Sequence, residues 1–200
     1  MQPDQQLYAQ LTTLALSHGA TAAVVLPAQA VVVDERFAAM CATPHRCPSY
    51  GLAPGCPPHA PSPSALRAQL KTYQHLLVFK IDAPVADLIG PPRITIARTI
   101  HRIAAEVERA ARIHGMSRAR GMAAGSCKEL FCSEDMDCRV LNSDQPCCFP
   151  DLARPSISAV GIDFSALAAH AGWPFGKIGS PTSSTGTPTM GLMAGLVLLA

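Results

Sequence analysis

Prolines and cysteines crowd together over Thr43–Pro63, and this stretch constrains the fold more than any other. Proline fixes φ and removes the backbone donor, so neither a helix nor a central strand can run through it. The segment is expected to be a long irregular loop, of the kind that inside a compact domain is either functional or disordered. A bound metal would supply order that backbone hydrogen bonds cannot. A second irregular, cysteine-rich stretch covers residues 125–156.

The eight cysteines fall within these two regions or, for Cys41, just before the first. Cys41, Cys47 and Cys56 form the first group, at spacings x5 and x8. Cys127, Cys132, Cys138 and Cys147 form the second, at x4, x5 and x8, with Cys148 adjacent. Met1–Gln6 is polar and has no basic region followed by an apolar run, so no secretory signal is expected. Met190–Ala200 is apolar but far shorter than the ~20 residues that span a bilayer, and reads as a buried strand. No membrane association is expected, and a cytoplasmic placement follows. There, clustered thiols bind metal or do redox chemistry rather than form disulfides.

Thiolate is the ligand of choice for iron–sulfur clusters and for structural zinc. The chain has no Cys-x2-Cys, which removes the commonest zinc knuckle and the thioredoxin-type motif. Irregular, proline-flanked spacings favour a cluster, because a cluster is wider than one ion and tolerates longer reaches. The expected cofactor is therefore iron–sulfur, of the [4Fe–4S] type, in one or two copies, with zinc as the alternative. The second group is a complete four-thiolate set. The first lacks a fourth ligand, which Cys148, His45 or His59 could supply; vicinal Cys147 and Cys148 seldom ligate one centre. A [4Fe–4S] centre on four thiolates is anionic, and Arg46, Arg139 and Arg154 are placed to offset that charge. The competing reading is that these arginines only solubilise the loops.

Around the loops the pattern alternates. Leu7, Leu11, Leu14 and Ala15 recur at helical spacing, predicting a helix over Pro3–His18 that stops at Gly19. Two β-rich runs follow, Ala22–Leu26 and Ala30–Val33, separated by Pro27. Ser62-Pro63 opens a helix to about Tyr73, as an N-cap with proline at the first helical position. Leu76–Ile81 reads as a core strand. Arg93–His114 reads as a long helix with Ile96, Ile100, Ile103, Val107 and Ala110 on one face. Glu106 and Glu108 interrupt the basic residues gathered along Arg93–Arg120, which therefore read as a solvated helix face. Arg118–Ala124 is a short strand leading into Cys127, and Asp163 caps a helix over Phe164–Ala171. Gly179–Thr189 reads as a flexible hairpin or loop. The expected fold is a single α/β domain over residues 1–200: a mixed sheet flanked by helices, with the loops at about 41–63 and 125–156 gathered at one edge.

A net charge of +2 gives no case for nucleic acid. There is no Gly-x-Ser-x-Gly elbow, phosphate loop or His-Glu-x-x-His helix, so a familiar hydrolase or nucleotide enzyme is not expected.

The combination Val33-Asp34-Glu35-Arg36-Phe37, Cys47-Pro48-Ser49-Tyr50-Gly51, Cys56-Pro57-Pro58-His59, Glu108-Arg109, Ala124-Gly125-Ser126-Cys127, Cys147-Cys148-Phe149-Pro150, Arg154-Pro155-Ser156 and Ala159-Val160-Gly161-Ile162-Asp163 resembles a family of predicted metal-binding proteins of anaerobic and other prokaryotes, a domain of unknown function. The resemblance implies ligand roles for Cys47, Cys56, Cys127, Cys132, Cys138 and Cys147, and favours Cys147 over Cys148. Cys41 stands farther from Cys47 than the family pattern has it, leaving His45 as a substitute. The resemblance brings no established reaction. The functional expectation is an iron–sulfur protein that passes electrons to, or carries a cluster for, a redox or metalloenzyme partner. A zinc-stabilised binding module and an enzyme using a cluster with an open ligand position are the alternatives.

Overall fold

The computed structural model describes residues 3–176 and 188–200. Four strands, β1 (Ala22–Pro27), β2 (His75–Pro84), β3 (Arg120–Ala123) and β4 (Met190–Leu199), form one sheet in the order β1-β2-β4-β3. Every strand pairing is antiparallel. Among the described residues, an isolated bridge between Ala123 and Ser156 is parallel. Alternation of helix and strand along the chain does not fix strand direction. Each connection here is long enough to bring the next strand back the other way.

The central strands β2 and β4 are buried on both faces, which is why their sequences are near-continuous apolar runs. Leu77, Phe79, Val197 and Leu199 face one helical layer. That layer is α1 (Pro3–Ser17) and α5 (Arg93–Ile113), which contribute Leu11, Ala15, Ile100, Ile103, Val107 and Ala111. Leu76, Val78, Leu196 and Leu198 face the opposite side. There they meet Leu66 of α3 (Pro63–Leu70), Leu167 of α8 (Phe164–His170) and the loop residues Ile157, Val160 and Ile162. Each of these eight strand side chains is at most 1% exposed, and burying one is worth about 1.5–3 kcal/mol. The three-layer core thus rests on ordinary apolar burial.

Local signals fix the helix ends. Ser62 Oγ accepts from the Ala65 amide, with Pro63 at the first turn of α3. Asp163 accepts from the Ser165 and Ala166 amides at the start of α8. After α1 and α5 the chain turns through left-handed glycines, Gly19 at φ 108° and Gly115 at φ 95°.

Three expectations are corrected. Ala30–Val33 is no strand: a short 3-10 turn covers Ala28–Ala30, and Val33 makes only a single bridge to Ile162. The Thr43–Pro63 loop is not short of hydrogen bonds, as detailed below. Short helices absent from the sequence reading are α2 (Glu35–Ala39), α4 (Val85–Ile89), α6 (Cys127–Phe131) and α7 (Arg139–Asn142). The expected hairpin or loop over Gly179–Thr189 lies, apart from its last two residues, outside the described residues.

Candidate metal centre

Cys41 follows α2, whose first turn is capped by Asp34 through the Arg36 amide. From there the first loop folds on its own backbone. The Cys47 amide donates to the Cys41 carbonyl at 2.9 Å, and Tyr50 to Cys47 at 2.9 Å. Gly51 donates to Pro57 at 2.8 Å, and His59 and Ala60 both donate to Cys56, at 3.0 and 2.9 Å. Prolines therefore exclude helix and strand here but leave a series of turns, each spending the remaining amides.

The second loop begins at the end of β3. Ser126 caps α6, accepting from the Lys128 amide, which places Cys127 at the first helical position. The two loops meet here. The Cys56 thiol donates to Ser126 Oγ at 3.2 Å, one residue from Cys127. A backbone clamp holds the loops together. Ser156 N–H donates to the Gly55 carbonyl, and a Cβ added at Gly55 would lie 2.8 Å from Pro155 Cα, so only glycine lets the two backbones come this close.

Between the loops lies a cavity of about 660 Å³. Cys41, Cys47 and Cys56 line it, with Ser126, Lys128, Ser133 and Asp135 of the second loop, but not Cys127 itself. Thiol electrostatics couple Cys41 to Cys47 and Cys56, and Cys127 to cysteines of both sets. Burial raises the Cys41 thiol pKa, and Cys47 and Cys56 add to the rise. Burial also raises Cys56, opposed by its hydrogen bond to Ser126 and assisted by Cys47. Cys127 is pushed up to about 12, first by burial and then by Cys56, Cys147, Cys138 and Cys132. Cys132 is raised by burial, then by Asp135, Cys148 and Cys147, with Lys128 pulling the other way. Thiols held this near one another resist ionising together unless a cation shares the charge. Thiolates are the donors that thiophilic metals and iron–sulfur clusters take.

Among the described residues, no three Cys, His, Asp or Glu side chains are drawn together tightly enough to hold a single metal ion. Cys147 accepts the Phe149 amide at 3.4 Å and is part-buried, whereas Cys148 is exposed. Cys138 precedes α7 and is part-buried. His45 and His59 are exposed.

The arginines are placed differently from one another. Arg46 lies over the Tyr50 ring at 4.7 Å, and Arg139 is exposed at the start of α7. Arg154 is held by α5. Its Nε donates to Glu108 Oε2 at 2.9 Å and its Nη1 to the carbonyls of Pro150 and Ala153. Glu108 also accepts the Gly121 amide of β3 at 2.6 Å and pairs with Arg112. The Arg154 amide in turn donates to His101 Nδ1 at 3.1 Å. Glu108, expected on a solvated helix face, is thus 6% exposed and anchors the second loop and β3 to α5.

Lys128 escaped the sequence reading. It is 7% exposed, and its ammonium donates to the carbonyls of Cys132, at 2.8 Å, and Asp135. That puts a buried cation beneath the second loop. Arg98 Nε, donating to the Leu130 carbonyl at 2.7 Å, and Arg93, paired with Glu129, fasten α6 to α5. The one signal for Lys128 in the sequence is its place beside Cys127 after a serine cap.

Residues 24–199 match the family described as predicted metal-binding protein (DUF2284). The chain belongs to this family. No curated protein and no solved structure matches this DUF2284 chain. Among the described residues no helix is long and apolar enough to cross a membrane. In this DUF2284 protein both cysteine loops fall within the matched span.

Proposed function

We propose that the two cysteine loops hold iron–sulfur clusters of the [4Fe–4S] type, and that the protein passes electrons to, or carries a cluster for, a redox or metalloenzyme partner in a reducing, cytoplasmic setting. The observation that carries this reading is the convergence of the loops. Cys41, Cys47 and Cys56 line one cavity together with non-cysteine residues of the second loop, and Cys56 is bonded to the residue before Cys127. Cys47, Cys56, Cys127, Cys132, Cys138 and Cys147 would be the ligands, with Cys41 adding to the first set. Bound there, a cluster supplies one-electron chemistry. The chain's own residues supply the rest: burial around Cys56 and Cys127, the Phe149 amide on Cys147, and Lys128 as a fixed positive charge. Amides and cations near cluster sulfurs tune potential and retention.

Protein prepared anaerobically should be brown, with broad absorption near 400 nm and iron matched by acid-labile sulfide. Colourless protein that carries stoichiometric zinc and no sulfide would instead establish a zinc-stabilised module.

A further inference from the structure

By sequence, Cys127 opens the second cysteine group, and the first group lacks a fourth thiolate. The fold redistributes them. The cavity between the loops is walled by the three first-group cysteines on one side and by the residues flanking Cys127 on the other. No second-loop cysteine, Cys127 included, lines it directly, and Ser133 beside Cys132 also borders it. What singles out Cys127 is the contact its neighbour makes with the first loop. The Cys56 thiol is fixed to Ser126 Oγ, and the Gly55–Ser156 hydrogen bond with the Gly55–Pro155 approach clamps that arrangement from behind. The exposed histidines of the first loop have no comparable tie to it.

We infer that Cys127 is the fourth thiolate of the first centre, completing Cys41, Cys47 and Cys56, while Cys132, Cys138 and Cys147, with Cys148 beside them, serve the second. The assignment rests on the reading that the loops hold metal. It does not depend on which metal. Ligand exchange between sequence motifs is a known arrangement in two-cluster proteins, where the last cysteine of one run serves the other cluster.

The assignment is tested by pairing Cys→Ser variants and measuring metal and sulfide per chain in anaerobically prepared protein. Cys56→Ser and Cys127→Ser should each lose the same half of the load, and the double variant should lose no more than either alone. Combining Cys127→Ser with Cys138→Ser should remove essentially all of it. The inference is overturned if Cys56→Ser with Cys127→Ser loses more than either single variant, or if Cys127→Ser with Cys138→Ser does not. Wild-type protein that binds no metal would overturn it too. Iron with sulfide in wild type but the wrong pairing leaves the iron–sulfur reading standing; zinc with the right pairing does the reverse.

Alkylation mapping by mass spectrometry is the second readout. In native Cys138→Ser, Cys127 should stay protected together with Cys41, Cys47 and Cys56 while Cys132 and Cys147 react. Labelling of Cys127 along with Cys132 and Cys147 counts against the assignment.

Discussion

His101 sits in the middle of α5 with no exposed surface, its ring edge-on to Phe131 at 5.5 Å between centroids. Its Nδ1 accepts the Arg154 amide, so the proton of the neutral ring is on Nε2, which has no hydrogen-bond partner among the described residues. Protonating Nδ1 would set two donors against each other. Burial lowers its pKa from 6.5 to about 4, with the Leu152 and Ala124 carbonyls opposing and Arg154 assisting. Because the folded value lies below the unfolded one, the contribution to stability is complete above pH 6.5. It is lost as pH falls from there toward 4. The difference in unfolding free energy between wild type and His101→Leu should therefore shrink by about 1.4 kcal/mol per pH unit below that upper value. A difference that stays constant between pH 7 and pH 5 would show that His101 is not held neutral. None of this was legible in the sequence. His101 and Glu108 stand two helical turns apart on the stripe that includes Ala97 and Ala104, yet their polar side chains read as solvated until their partners in the second loop are known.

At the scale of elements, the helices were readable where one residue type or one cap decides the matter. The long apolar period of α5, the Ser62-Pro63 start of α3 and the Asp163 cap of α8 each carry their own physical cause. Ala30–Val33 misled because a short apolar run is equally at home in a buried turn, and here Ala30 and Val31 join the second face of the core. β4 was read as a buried strand from its apolar composition, but its central place was not, since pairing order is a long-range property. Gly195 in β4 faces Phe79 of β2 in register, and a Cβ there would run into the Phe79 ring. Replacing a strand glycine normally gains about 0.5–1 kcal/mol of backbone entropy, while overpacking costs about 1–3 kcal/mol. Overpacking should win. Gly195→Ala is expected to destabilise by about 1–2 kcal/mol in urea titration, with part of the loss restored by Phe79→Leu. Neutral or raised stability in the single variant would mean that the ring swings aside.

Considered whole, the molecule divides its stability between two sources. The three-layer core is held by aliphatic burial from β2, β4, α1 and α5; the second cysteine loop is joined to it through Glu108, Arg154 and Arg98, and the first loop is clamped to the second at the Gly55–Pro155 contact. Stripping metal from loaded protein should raise amide exchange by roughly tenfold or more across residues 41–60 and 127–150, about 1.4 kcal/mol of local stability, and leave β2, β4 and α5 protected. Global loss of protection would show that the core itself depends on the metal. The place of β4 has one more consequence. Both cysteine loops precede it in the chain, yet β4 is the strand that joins β3, and with it the second loop, to β2. On the ribosome, the thiols of both loops emerge before the strand that brings them to their final positions. On the proposed reading, delivery of a metal or cluster to the assembled pair would wait for β4, and until then the nascent chain would carry free thiols open to oxidation.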